Sequence, residues 1–316
     1  MFSMKKGEIL KHLFSIDTQS SNRVVLNILG FKIKVLKKAA KDVSRKYLEF
    51  KGDITEIPKA TGYLRNIQLA DLKLMKIFDI LCRENGLKYF LNYGNLLGAI
   101  RHKGFIPWDD DVDVSMMRKD YEKFVELYKN GIPNYEDLYI EFQNNGVNKC
   151  LLKLKHKKIN NIAIDIFMTD FYYKQTNSEE KDRLNELLHR IINRRLYKLL
   201  SPLYKNDTDK IRKRFLDVIN KEILKGNTVD ESIKPSIFDS IDFPHSNKKL
   251  VFDYDVIFPL KEIEYEDFKF YAPNKPKELL TLEFGDYMKM PNNCYPRHSF
   301  SGDDRIDVEM NKFLEE

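Results

Sequence analysis

Cysteine is scarce in this chain, and the three present, Cys82, Cys150 and Cys294, lie far apart in the sequence. No two of them have Cys-x-x-Cys spacing, which argues against a disulfide framework and a zinc ribbon and favours a reducing compartment. The chain also lacks any apolar run approaching the roughly 18 residues of a membrane span. The first 14 residues contain lysines but no apolar signal-peptide core, so we expect no cleaved signal peptide and a cytoplasmic protein.

Excess positive charge is confined to one end of the chain. Residues 1–60 contain 13 Lys and Arg against 6 Asp and Glu, whereas the remaining residues contain 41 against 42. Within this arm, residues 24–38 combine a short apolar strip with closely spaced lysines. Two interpretations stay open: residues 1–40 contact the anionic inner face of the plasma membrane, or they form a basic strand and helix packed on the protein. No nucleic-acid recognition motif accompanies the lysines, so nucleic acid is not an expected partner.

The apolar content of 42% is sufficient for a folded core, and the length of 316 residues suits one large domain or two small ones. We divide the chain into the N-terminal arm, residues 1–60, and a larger domain, residues 61–316. Apolar periodicity in the larger domain predicts helices at 67–85, where Leu69 and Ile80 belong to the apolar stripe, and at 95–101, 119–129 and 277–288. It predicts strands at 88–92, 111–115, 138–143, 149–156 and 162–167, then one short strand after residue 254 and an irregular tail after residue 288. Two further helical patterns at 178–226 predict a helical insertion. The mixture indicates an α+β fold.

The most informative segment places four carboxylates, Asp109, Asp110, Asp111 and Asp113, in five positions directly after Trp108. Such crowding of like charges is unfavourable unless a cation compensates it. Apolar and acidic residues alternate from Asp111 onward, so on a strand Asp111 and Asp113 share one face. Two carboxylates on one strand face suit magnesium, which prefers oxygen ligands.

Two other interpretations of these acids compete with a magnesium site. A solvated acidic turn would explain the composition but not the crowding. A calcium-binding loop would begin at Asp109, but its sixth position would then be Val114 instead of glycine and its twelfth Asp120 instead of glutamate, so it fails. Asp165 stands alone on an isoleucine-rich strand, where it is either a third site carboxylate or a structural acid paired with a basic residue.

The order of elements resembles the polymerase-β-type nucleotidyltransferase fold, a mixed sheet flanked by helices. The residues from Tyr89 to Val114, and above all Arg101–Asp113, closely resemble the LicD family, to which the fukutin-related transferases are related. Further similarities extend the resemblance over roughly residues 67–300; they are Ile164–Phe167, Ile257–Pro259 and Phe284–Met288. One departure stands at residues 93–95, where the family usually has Gly-Gly-Thr and this chain has Tyr-Gly-Asn.

The resemblance implies an activity and a set of metal ligands. Members of the family transfer phosphocholine or related phosphoalcohols from CDP-activated donors to sugars. We therefore expect a CDP-alcohol donor, a cell-surface glycan or lipid-linked glycan acceptor, and Mg²⁺ or Mn²⁺ as cofactor. Asp111 and Asp113 would bind the metal, and Asp109 would be an extra ligand or a support. Asp165 would bind a second metal or accept the proton of the attacking hydroxyl.

The resemblance also implies substrate contacts. Gly94 and Asn95 would meet phosphate at a helix N-terminus, with Asn95 as the N-cap. The other expected contacts are basic residues that would neutralise the leaving CMP, together with a histidine in the C-terminal tail: Arg101, Lys103, Lys153, Lys155 and His298. Each basic residue has an ordinary alternative, which is to balance nearby acids or to form a solvated strand face. Trp108 is expected in the core.

Two other functions are compatible with an Asp-x-Asp motif. A metal-dependent glycosyltransferase is disfavoured because its fold opens with a nucleotide-binding βαβ unit, and none is predicted before residue 111. A non-catalytic nucleotidyltransferase-like module is disfavoured by the presence of all three aspartates. The sequence specifies neither the alcohol, nor the acceptor sugar, nor the oligomeric state.

The basic arm yields a direct test of the membrane interpretation. Deletion of residues 1–40 is expected to weaken binding to vesicles that contain anionic lipid, because the excess lysines are removed. Sedimentation of the full-length and truncated proteins with vesicles would measure this. Equal partitioning of the two proteins would exclude the arm as a membrane anchor.

Overall fold

The computed structural model confirms the α+β class and a mixed sheet flanked by helices. It describes residues 14–20, 23–28, 31–36, 44–143, 151–172, 179–183, 186, 234–239, 251–297 and 304–315. Most of the expected helical insertion at 178–226, like His298, lies outside these ranges. None of the helices described here is long and apolar enough to cross a bilayer.

The N-terminal arm contains an antiparallel three-stranded sheet, formed by β1 (Phe14–Ser20), β2 (Arg23–Ile28) and β3 (Phe31–Leu36). Consecutive strands pair with each other. The strand and helix of the second interpretation are therefore corrected to three strands over residues 14–36. The alternation of apolar residues with lysine at positions 31–35 has the period of a strand, which explains the outcome.

Within the described ranges, seven strands form the main mixed sheet. They are β4 (Tyr89–Leu91), β5 (Val112–Met117), β6 (Leu138–Gln143), β7 (Leu151–His156), β8 (Ala163–Tyr172), β9 (Ser236–Asp239) and β10 (Val251–Asp253). The strands β4 to β8 match the predicted ones to within a few residues at each end, except that β8 extends five residues further than expected.

The long strand β8 organises this sheet. One edge of β8 pairs in parallel with β5. Its other edge pairs antiparallel with β7 along its first half and with β9 along its second half. Strand β4 pairs antiparallel with β5 on the far side. Residues of β5, β8 and β7 that share a register position are thus neighbours across three strands.

Six helices with defined bounds accompany the strands in the described ranges. They are α1 (Tyr63–Glu84), α2 (Tyr93–His102), α3 (Arg118–Tyr128), α4 (Tyr254–Ile257), α5 (Pro276–Phe284) and α6 (Asp304–Glu315). Phe78 of α1 and Phe124 of α3 pack at 5.3 Å between ring centroids and belong to the same core as Val114 and Ile166. The opposite face of β5 and β8 carries the acidic residues.

Helix α1 corrects one detail of the predicted apolar stripe. Ile80 is 41% exposed and Leu69 is only partly buried, although both were expected to face the core. Leu74 and Phe78 are buried instead. Because α1 packs against several elements, among them α6 and β8, its buried surface is wider than a single stripe.

The C-terminal part also differs from expectation. Where one short strand was predicted, the chain forms an antiparallel hairpin of β11 (Lys261–Tyr265) and β12 (Phe268–Ala272). The tail, expected to be irregular, ends in helix α6. Lys73 of α1 donates to the Phe313 carbonyl at 2.5 Å and lies 4.9 Å from the Phe313 ring centroid, which holds α6 against α1.

The hairpin turn supports the loop after α2 through one carboxylate. Glu266 accepts two hydrogen bonds from Arg65, both 2.9 Å, and one from Lys59 at 2.5 Å. Its backbone N–H donates to the Lys103 carbonyl at 2.8 Å. The side chain is 4% exposed. Burial raises the pKa of Glu266, but the hydrogen bonds from Arg65 and Lys59 outweigh this and leave the pKa below its ordinary value.

Glu266→Gln is expected to lower the free energy of unfolding by about 2 kcal/mol at pH 7, because it removes a buried ionic acceptor. The folded-state pKa is depressed, so this stabilisation is present above the unfolded pKa of about 4.3 and is lost as pH falls through the folded value. Urea unfolding of both proteins from pH 7 to pH 3 would measure a difference that shrinks with acid.

Glu264→Gln is a matched control, since Glu264 is an exposed acid on the same hairpin. Its effect is expected to stay within about 0.5 kcal/mol at every pH. A Glu266→Gln effect that is equally small at pH 7 would contradict the role of Glu266.

Candidate active site

A loop of residues 103–111, here called the acidic loop, connects α2 to β5, and its backbone is fixed from α1. Gln68 is buried and donates its amide to the carbonyls of Ile106, at 3.2 Å, and Asp109, at 2.9 Å. The Tyr47 hydroxyl donates to the Pro107 carbonyl at 3.0 Å. These bonds fix the backbone of the loop that carries the carboxylates.

Trp108 anchors the same loop in the core. It is 7% exposed, and its ring centroid lies 5.4 Å from that of Tyr47. This confirms the expected core position. A buried tryptophan directly before the acids leaves them little freedom to separate.

The carboxylates of the acidic loop converge. Oxygen atoms of Asp109, Asp110 and Asp111 all lie within 4.8 Å of one another. Asp109 and Asp111 also share a side-chain hydrogen bond. Hard divalent cations prefer a compact set of oxygen ligands of this kind.

Three neighbouring strands place the other charged groups in one row. Asp113 on β5 is the register partner of Asp165 on β8, and Asp165 is the register partner of Lys153 on β7. The Lys153 ammonium contacts the Asp165 carboxylate at 2.5 Å. The expected convergence of positions 113 and 165 is therefore built into the parallel pairing of β5 with β8.

The acids strongly disfavour one another's charge. Burial raises the pKa of Asp113 well above its usual range, and the charges of Asp111 and Asp165 raise it further, while Lys153 and Arg297 oppose the effect. Burial and the neighbouring Asp111 likewise raise the pKa of Asp109. A divalent cation among these groups would relieve the repulsion, so their chemistry fits Mg²⁺ or Mn²⁺.

The first turn of α2 lies directly against these carboxylates. A Cβ atom on Gly94 would stand 2.7 Å from Oδ2 of Asp109 and 4.0 Å from Oδ2 of Asp113. Only a residue without a side chain allows so close an approach. Gly94 therefore lies beside the metal-binding candidates Asp109 and Asp113.

Asn95 does not take the expected N-cap position. The helix begins earlier, at Tyr93, with Asn92 in the N-cap position, so Asn95 is not the cap. Its buried side chain accepts from the Asp113 backbone N–H at 2.6 Å and donates to the Tyr265 hydroxyl at 3.1 Å. Asn95 thus fixes the start of β5.

Tyr93 takes a backbone conformation that favours glycine, with φ of +43°. Its ring packs edge-on against Phe167, with the ring centroids 5.1 Å apart. For a non-glycine residue this conformation costs on the order of 1 kcal/mol. The departure from the family's glycine at this position is therefore accommodated with strain beside the site.

The other basic candidates are not members of the carboxylate row. Arg101 is buried and donates to the Tyr287 carbonyl at 2.7 Å and to His102 at 2.9 Å. Burial lowers the pKa of Arg101 to about 10. Lys155 contacts Glu141 at 2.9 Å, and Lys103 is exposed at the end of α2. Of the basic residues predicted to bind substrate, only Lys153 lies in the row itself.

Sequence reasoning missed three residues close to these acids. Gln68 and Asp71 are polar residues on the buried face of α1, which is the signal that could have identified them. Asp71 accepts from the Ala163 N–H at 3.2 Å, and its second oxygen has no partner among the described residues. Arg297 lies in the C-terminal tail, where no local pattern distinguishes it.

Comparison with known proteins is consistent with this geometry. A family model described as the nucleotidyltransferase domain of LicD/FKTN/FKRP matches residues 86–207. The lipopolysaccharide cholinephosphotransferase LicD of Haemophilus influenzae is 27% identical over 266 residues, which cover 72% of this chain and 92% of that protein.

Two uncharacterized rickettsial proteins are also similar to part of the chain. One, from Rickettsia typhi, is 33% identical over 111 residues, and one, from Rickettsia prowazekii, is 35% identical over 107 residues. Each match covers 32% of this chain, and 35% and 39% of the respective relative.

The contact at Gly94 predicts a variant that separates stability from metal binding. Gly94→Ala is expected to keep or raise the melting temperature, because alanine is the better helix former by up to about 1 kcal/mol. The new Cβ displaces the Asp109 carboxylate, so Mn²⁺ affinity should fall by roughly 10-fold. Calorimetric titration with Mn²⁺ and thermal unfolding would measure the two effects.

Gly98→Ala provides the contrast within the same helix. Its Cβ would stand 2.3 Å from the Gly104 carbonyl oxygen, which is backbone and cannot rotate away. This variant should lose about 1–3 kcal/mol of stability. Unchanged Mn²⁺ affinity in Gly94→Ala would argue against Asp109 as a ligand.

Proposed function

We propose that this protein is a phosphotransferase. The premise is that residues 86–207 are a nucleotidyltransferase domain of the LicD family. The protein transfers a phosphoalcohol from a CDP-activated donor to a hydroxyl of a cell-surface glycan or its lipid-linked precursor, and CMP is released. The observation that carries the proposal is the row of Asp113, Asp165 and Lys153 beside the acidic loop. The named activity of the Haemophilus relative makes phosphocholine the first alcohol to test.

The proposed reaction is an in-line displacement at phosphorus. The acceptor oxygen forms a bond to the phosphorus that carries the alcohol, and the bond from that phosphorus to the bridging oxygen breaks. CMP leaves with this oxygen. The hydroxyl proton goes to Asp165, which is the register partner of Asp113 on the adjacent strand.

Acids of the loop and of β5 would hold the cation. Asp109, Asp111 and Asp113 are the ligands that we assign, and a bound Mg²⁺ supplies neutralisation of the donor diphosphate and a lower pKa for the attacking hydroxyl. Lys153 supplies positive charge at the same row, where it can move from Asp165 to a phosphate oxygen. Gly94 keeps the α2 backbone close enough for its N–H groups to face the donor.

A donor screen tests the proposal directly. The protein is expected to release CMP from at least one of CDP-choline, CDP-ribitol and CDP-glycerol when Mg²⁺ and a glycan acceptor are present, and none after chelation. UDP-sugars should not react. Mass detection of the modified acceptor would identify the alcohol. UDP-sugar turnover would favour a glycosyltransferase, and inactivity with every donor despite bound Mg²⁺ would favour a non-catalytic module.

Variants of two proposed metal ligands, one in the acidic loop and one in the row, serve as controls for the active donor. Asp111→Ala and Asp113→Ala should each reduce transfer by on the order of 100-fold or more, because each removes a ligand that acts on the reacting phosphate. Circular dichroism would show whether the fold is intact. A folded variant that retains more than a few per cent of the activity would exclude that residue as a ligand.

A further inference from the structure

The segment between α5 and α6 brings a cation to the acidic loop from the C-terminal part of the chain. The Arg297 backbone N–H donates to Oδ1 of Asp110 at 2.7 Å. Cys294 is fully buried, and its N–H donates to the Ser44 hydroxyl at 3.3 Å. The backbone is thus tied down at both ends of residues 294–297, whereas Arg297 itself is exposed.

Asp110 differs from its neighbours in its hydrogen-bond partner, which is a backbone N–H distant in sequence. It is only 3% exposed, and one of its oxygens is occupied by the backbone N–H of Arg297. An ionic acceptor bonded to a main-chain donor is a strong local anchor. The middle acid of the acidic loop therefore holds the C-terminal segment in place.

The backbone of Arg297 is bonded to the acidic loop at Asp110, and its positive charge opposes the rise in the pKa of Asp113. The other cation that acts on Asp113, Lys153, is already in contact with Asp165. Within the part of the chain that the structure describes, no carboxylate accepts a hydrogen bond from the Arg297 side chain.

We propose that Arg297 binds the diphosphate of the donor and that Asp110 positions it. This inference rests on the proposed function and adds to it a residue that contacts the phosphate leaving with CMP. A guanidinium presents two parallel N–H donors that match two phosphate oxygens, and it keeps its charge throughout the physiological pH range. The exposed side chain on an anchored backbone suits a group that meets a ligand.

Arg297→Gln distinguishes this role from simple balancing of the nearby acids. Loss of a positive charge beside the carboxylates should leave Mn²⁺ affinity equal or higher. The same change should weaken binding of CDP in the presence of Mg²⁺ by about 10- to 100-fold, because a charge-assisted hydrogen-bond pair is lost. Calorimetric titrations with Mn²⁺ alone, and with CDP at saturating Mg²⁺, would measure both.

Two further variants complete the design. Lys129→Ala removes one positive charge from an exposed residue at the end of α3 and should change neither affinity. Arg297→Lys should recover part of the CDP affinity, since it restores the charge without the two parallel N–H donors of a guanidinium. A CDP affinity of Arg297→Gln equal to that of the wild type would overturn the proposal.

Asp110 variants test the positioning role. Asp110→Asn keeps an acceptor for the Arg297 N–H and should retain most of the CDP affinity, whereas Asp110→Ala removes the acceptor and should approach the affinity of Arg297→Gln. Equal CDP affinity in both Asp110 variants would exclude the anchor.

The binding measurements separate this inference from the proposed reaction. A wild-type protein that binds CDP through Arg297 but transfers no phosphoalcohol would support the inference and refute the proposed function. If the wild type transfers phosphoalcohol and Arg297→Gln binds CDP normally, the proposed function is supported and the inference is refuted. Absence of CDP binding by the wild type would overturn the inference.

Discussion

The constraint on which this site depends is the repulsion among its acids. Asp109, Asp111, Asp113 and Asp165 would separate in a flexible chain, because each raises the free energy of its neighbours' charged forms. Hydrogen bonds to the backbone prevent this. Gln68 fixes the acidic loop at two carbonyls, and β5 and β8 fix the strand acids through their register. The structure therefore keeps together groups whose repulsion a cation can relieve.

Support for this arrangement comes from residues distant in sequence. Tyr265 of the β11–β12 hairpin bonds to Asn95, which in turn holds the Asp113 backbone. Glu266, the next residue, joins Arg65 of α1 and the loop after α2. The hairpin lies outside the main sheet, yet it connects the two elements that carry the acids. Its stability and the geometry of the site are consequently coupled.

The sequence was most informative where a pattern is local. Alternation of apolar and acidic residues predicted β5 and β8 and the face on which Asp113 and Asp165 lie. No local pattern encodes the partner of a side chain. Asn95 has the residue type of an N-cap, but its amide bonds to β5 and the hairpin instead. The hairpin and α6 were missed because short or charged elements have weak periodicity, and their packing on α1 is a tertiary effect.

The run of acids is best understood as a division of roles along one short loop. Asp109 and Asp111 share a hydrogen bond, while Asp110 between them is buried and accepts from the Arg297 backbone N–H. All three carboxylates converge, so Asp110 belongs to the cluster and also anchors the C-terminal segment through the Arg297 N–H. If Asp110 secures an arginine over the site, the loop supplies both negative charge for a cation and, indirectly, positive charge for phosphate. A diphosphate bound with its metal needs both.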